Sequence, residues 1–159
     1  MTGVMVQDQI LPAAVGRHLE QQIASAQRLL DLVRRQGTAI RERDVEAVLA
    51  RLSDIQVEMA AREALERERT ELIGRAAVRL GVEPRQVDLQ QLAGLAPPAE
   101  RERLLGRSAE LRGLLAETAR EHGINRALMR QELTFLDHLL RISGGEAGNG
   151  TRRLMDVEA

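Results

Sequence analysis

Residues 12–41 read PAAVGRHLEQQIASAQRLLDLVRRQGTAIR. Within them Val15, Leu19, Gln22, Ala26, Leu29, Val33 and Ile40 recur at alternating four- and three-residue steps, with position 36 polar. A step averaging about 3.5 residues keeps these side chains on one stripe, so the stretch reads as the seam of a helix packed on another helix. Pro12 suits a first helical turn, where its missing amide has no partner to lose. Gly37 and Thr38 weaken the far end, and the expected helix spans 12–41.

Asp44 is a good N-cap for a second helix over 44–80, since its carboxylate can accept from the free amides of the first turn. Val48, Leu52, Ile55 and Met59 form its first seam, and Leu65, Leu72, Ile73, Ala76 and Leu80 continue it less regularly. Arg62 to Glu71 is mostly charged, so contact should be thinner there. Gly81 sits where a left-handed residue stops a helix. At 1.5 Å per residue this helix is about 54 Å long. Residues 82–97 form a connector with a short helix near 88–94, capped by Asp88. Pro97 and Pro98 then open a third helix over 98–143. Gly106, Gly113 and Gly123 cost it about 1 kcal/mol each against alanine, which leaves room for a bend near 123. From Gly144 the text GGEAGNGTRRLMDVEA reads as a flexible tail over 144–159. The expected fold is all-α: three long helices in an elongated antiparallel bundle or coiled coil, forming one helical domain over 1–143.

Composition agrees. Of 159 residues 43% are hydrophobic, yet Phe135 is the single aromatic, and a β-sandwich or barrel would need aromatic and β-branched strands. Net charge is −1, from 23 basic and 24 acidic residues, and every basic residue is arginine. The signs interleave in i,i+4 pairs such as Glu58/Arg62 and Glu71/Arg75, as on a solvated helix face, which argues against nucleic-acid binding. The chain has no cysteine, hence no disulfide or thiolate metal site. No stretch reaches the roughly 20 apolar residues of a membrane span, and the N-terminus does not read as a signal peptide, so membrane insertion is not expected and cytoplasm is. His18, His122 and His138 lack a glutamate three residues earlier, and no His-Glu-x-x-His motif occurs. Without lysine there is no phosphate-binding Gly-Lys loop. No catalytic residue, metal site or cofactor is expected, and the chain does not read as an enzyme.

The end of the third helix is the most informative stretch for function. At 100° per residue, Ile124, Leu128, Phe135, Leu139 and Ile142 fall in one apolar lobe, and Met129, Leu133, Leu136 and Leu140 in another. Asn125 and Glu132 lie between them. Half the wheel is then apolar. A helix touching two bundle neighbours needs such a face, and so does a helix that receives a partner. Length bears on the choice: with the third helix starting level with the end of the second, residue 133 reaches the level of residue 45. The turns through Ile142 then overhang by about 14 Å, and an exposed apolar patch of that kind marks an interaction site. Asn125 reads either as a register-setting seam residue or as a hydrogen-bonding group at a partner site, and spacing does not decide.

At these residues the chain resembles the FlgN-type flagellar type III export chaperones. The segment NRALMRQELTFLDHLL, Asn125 to Leu140, is similar to that family's C-terminal helix. Arg43-Asp44, the Glu/Arg-rich helix and Arg79-Leu80-Gly81 resemble its second helix, and Leu111 to Leu115 the start of its third. The similarity spans most of residues 15–142. It implies a cytoplasmic chaperone that binds the amphipathic C-terminal segment of hook-filament junction proteins of the FlgK/FlgL type and escorts them to the flagellar export apparatus. By position it implies a substrate surface at Leu128, Met129, Leu133, Phe135, Leu136, Leu139 and Leu140, with Asn125 beside them. Family members usually carry a tyrosine in this region, in some cases implicated in docking to the export gate; this chain has none. The alternative is a structural coiled-coil protein that self-associates as a homo-oligomer and carries no client. A helical transcription regulator is disfavoured by the charge balance.

Overall fold

In the computed structural model the backbone is described for residues 2–155 and the side chains for 10–144. The elements are α1 (Thr2–Glu42), α2 (Val45–Leu80), a 3-10 turn (Pro84–Gln86), α3 (Leu89–Ala93) and α4 (Pro98–Met155), with no strand among the described residues. The helix breaks follow the expected chemistry. Asp44 caps α2 by accepting from the Ala47 amide at 3.0 Å. Gly81 takes φ 67° and ends the helix, with the Val82 amide reaching back to the Ala77 carbonyl at 3.1 Å. Asp88 caps α3 through the Gln90 amide at 3.1 Å.

Two boundaries differ from expectation. α1 begins at Thr2, so Pro12 lies inside it rather than in its first turn. An interior proline forgoes one backbone hydrogen bond, but its ring is among the most completely buried side chains and packs into the core. The trace of α4 continues to Met155, past the expected end at 143. The tail expected over 144–159 lies, Gly144 aside, outside the residues whose side chains are described.

The helices run up, down and up. α1 and α2 are antiparallel, as are α2 and α4, so α1 and α4 run parallel. α1 packs against both long partners, whereas α2 and α4 make no comparable set of backbone contacts with each other. α1 is therefore the spine, and all seven of its seam residues are buried, with Gln36 joining them. One apolar cluster surrounds Leu11, Val15 and Leu19 of α1, with Leu72 and Ala76 of α2, Leu92 and Ala93 of α3, and Leu104 of α4. A second joins Leu29 and Val33 to Ile55.

Between the two clusters α1 presents His18, Gln22 and Ser25, all buried. α2 answers with charge. Glu58 accepts from the Ser25 hydroxyl at 2.6 Å and takes two bonds from Arg28, at 3.1 and 3.2 Å. Arg62 donates to the Ser25 hydroxyl at 3.2 Å, and Gln22 to Glu66 at 3.4 Å. Such a charge-assisted, two-pronged pairing is stronger and more directional than a neutral hydrogen bond. Burial works to raise the Glu58 pKa, but the bonds from Arg28 and Ser25 and the charges of Arg28 and Arg62 outweigh it and hold the carboxyl below the ordinary glutamate range. The charged stretch of α2 thus meets α1 through polar contacts.

That layer also moves the α2 seam from its expected place. Ile55 is buried, but Leu52 and Met59 are exposed, because the contact positions next to Ile55 are Glu58 and Arg62, one step round the helix.

Candidate functional site

α4 is fastened to α1 and the turn after it at three heights, two of them within the expected site. Arg34 pairs with Glu117. Asn125 donates from Nδ2 to the Val33 carbonyl at 2.7 Å. Arg43 reaches Glu132 at 3.5 Å and lies 5.9 Å from the centre of the Phe135 ring, within cation–π range.

The middle fastening requires a glycine. A Cβ on Gly37 would stand 2.6 Å from Asn125 Oδ1, so only a residue without a side chain lets α4 come this close. Asn125 is 3% exposed. Of its two readings, the contacts are those of a seam residue that sets register: a buried polar group whose hydrogen bond is made only when α1 and α4 are aligned.

The third fastening uses an unusual backbone. Arg43 has φ 57°, in the left-handed region, and is the one non-glycine residue among those described to do so. It sits at the αL position just past α1, with the Asp44 amide bonded to the Ala39 carbonyl at 3.0 Å. Glycine would fill this place at no steric cost. Arginine there sends its guanidinium to α4.

These contacts settle which way α4 faces. Asn125 and Glu132, the residues dividing the two apolar lobes, are the ones that engage α1 and the turn after it. The lobes therefore flank the contact strip, one on each side. With α2 making no comparable backbone contact, neither lobe is covered. Leu128 is half-buried, and Met129, Leu133, Phe135, Leu136, Leu139 and Leu140 are exposed, Leu140 at 71%. Ile124 and Ile142 are exposed as well. Arg43 stands level with Glu132 to Phe135, so α4 outruns the α1–α2 turn from Leu136 onward, as the lengths of the helices imply.

Sequence reasoning missed the exposed residues of α2. Val45, Leu49, Leu52 and Met59 lie in the half of the helix nearest the same end of the molecule and are open to solvent. The signal was present, because with Val48 and Ile55 they make six large apolar positions within fifteen residues, more than one seam needs. Among the described residues no group of His, Cys, Asp or Glu is arranged to hold a metal ion, and no helix is long and apolar enough to cross a membrane.

Comparison with family models gives a match to the FlgN protein family over residues 12–153, nearly the whole chain. Comparisons with curated proteins and with solved structures gave no significant match.

Proposed function

We infer a client from one premise: the chain belongs to the FlgN family. It is a flagellar export chaperone, and it binds flagellar export substrates. Its clients are the hook-filament junction proteins of the FlgK/FlgL type, which it holds in the cytoplasm by their amphipathic C-terminal segments and delivers to the export apparatus. The observation supporting this reading is the pair of uncovered lobes on α4. Leu128, Met129, Leu133, Phe135, Leu136, Leu139 and Leu140 present apolar area on both flanks of a helix that outruns its neighbours. An amphipathic segment laid against such a face is the helix-in-groove mode of recognition.

Burying a leucine or phenylalanine side chain is worth about 1.5–3 kcal/mol. A few such side chains suffice to hold a segment after association and ordering costs are met. Asn125 and Arg43 act at one remove, by setting where the face begins. Capture and release by such contacts need no nucleotide.

The test is the double substitution Leu136→Asp and Leu139→Asp, read by titration with a junction-protein C-terminal segment beside a thermal scan. Two carboxylates in an apolar interface should weaken binding more than tenfold, which takes only about 1.4 kcal/mol. The melting temperature should hold, because both residues are already in water. Unchanged affinity in the folded variant would refute the site. A collapsed melting temperature would mean that these residues are core. A parent chain that fails to bind the segment, with a folded variant that loses self-association, would favour the client-free coiled coil.

A further inference from the structure

Where α2 and α4 stand apart over α1 there is a cleft of about 490 Å³, within the range of ligand pockets. Its floor is apolar, with Val15 and Leu19 of α1, Leu72 and Ile73 of α2, and Leu111 of α4. Its walls are cationic: Arg62 and Arg69 from α2 and Arg112 from α4, opposed within the lining by Glu66 alone. Arg69 touches Glu66 at 3.4 Å with more than half its side chain exposed, and Arg112 has no ion pair among the described residues. His18 also lines the cleft. It is buried, and its Nδ1 lies 3.2 Å from a Glu68 oxygen without forming a hydrogen bond.

The cleft does not stop at its own lining. On α4, Leu115 at its mouth is followed at seven-residue steps by His122, Met129 and Leu136, all exposed. On α2, Ile73 and Glu66 in the lining are followed at the same step by Met59, Leu52 and Val45, also exposed. Seven-residue steps keep one helix face. The two rows therefore carry the cleft from its arginine-walled part toward the overhanging end of α4.

We propose that this cleft is the second half of the client site. It receives an amphipathic helix of the export substrate whose apolar face bears acidic residues along its edge, and the helix lies on α1 between α2 and α4 as the fourth member of the bundle. The proposal rests on the chaperone reading above and names the chemistry of its partner. An apolar floor selects the buried face. Arg69 and Arg112 at the walls select carboxylates, which guanidinium groups bind with two parallel hydrogen bonds, while Arg62 is already held by Ser25.

Two measurements test it. Leu115→p-benzoylphenylalanine and Leu136→p-benzoylphenylalanine variants of the full chain are irradiated with a junction-protein C-terminal segment, and that segment is titrated into R69E/R112E and R69K/R112K. The expected result is cross-linking from both positions. R69E/R112E should bind roughly tenfold more weakly, about 1.4 kcal/mol, with an unchanged melting temperature, while R69K/R112K recovers most of the affinity. Cross-linking from 136 alone, with R69E/R112E binding as the parent does, would overturn the cleft and leave the α4 face standing. Cross-linking from 115 to a second copy of the chain would overturn it in favour of self-contact. No cross-link from either position would overturn both readings.

Discussion

Gly37 and Asn125 should show a stability effect that changes sign with background. Alanine in place of glycine within a helix gains about 1 kcal/mol from propensity alone. At position 37 the added methyl would lie 2.6 Å from Asn125 Oδ1. That oxygen cannot swing aside freely, because the same amide is held by its 2.7 Å bond to the Val33 carbonyl. Forcing a methyl into packed surroundings costs about 1–3 kcal/mol. Gly37→Ala in the parent should therefore be neutral to about 2 kcal/mol destabilising. Asn125→Ala alone should cost about 1 kcal/mol for its lost hydrogen bond, and it removes the nearest obstructing atom, leaving only the flexible Arg41 guanidinium end at 3.2 Å. In that background Gly37→Ala should stabilise by up to about 1 kcal/mol. The two sites are then coupled by about 1 kcal/mol or more, as touching residues are. Urea unfolding of the four proteins, compared at a common m-value, measures the cycle, and each kcal/mol should move the melting temperature by about 2–4 °C in a chain of this size. If Gly37→Ala has the same sign and size in both backgrounds, the close approach of α1 and α4 is wrong.

Two further outcomes follow from the core and its polar layer. The Glu58 carboxyl is held below its ordinary pKa, so its contribution is present above the unfolded value of about 4.3 and fades as pH falls through the lowered folded value. The stability gap between the parent and E58Q should be widest near neutrality and close on acidification; a gap constant down to about pH 3 would sink that account. Leu104→Ala, at a residue 3% exposed, should lower stability by about 2–5 kcal/mol, whereas Leu140→Ala should stay within about 0.5. Comparable losses at the two sites in urea titrations would contradict the placement of the core.

The α1 stripe from Val15 to Ile40 was legible because most of its positions are apolar and share one period, whereas His18 and Ser25, polar and off that stripe, gave no sign that they meet α2. The α2 seam was not legible. Its central contacts are Glu58 and Arg62, which count as surface by composition and become interior only because α1 brings Ser25 and Arg28 opposite them. Leu52 and Met59, one step away, carried the apolar signal in the wrong direction. On α4 the helix lengths foretold the register, and the two lobes were visible on the wheel. The role of Asn125 stayed open because its partners are an α1 carbonyl and a glycine, and neither leaves a periodic trace. The arginine-walled cleft was hidden for a similar reason: its parts come from four helices and converge only when these pack.

Having α1 as the shared partner also shapes how the chain assembles. α1 and α2 meet through a two-residue turn, so their pairing needs little chain closure and can form as soon as both have left the ribosome. The bond between Asn125 and Val33 joins residues 92 apart in sequence. Closing so long a loop carries a larger entropic cost, and contacts of this span slow folding. A nascent chain would first hold a two-helix hairpin with one side of α1 open to water, then gain its third helix in a later step. The apolar side of α1 that α4 covers is, in that interval, an aggregation risk.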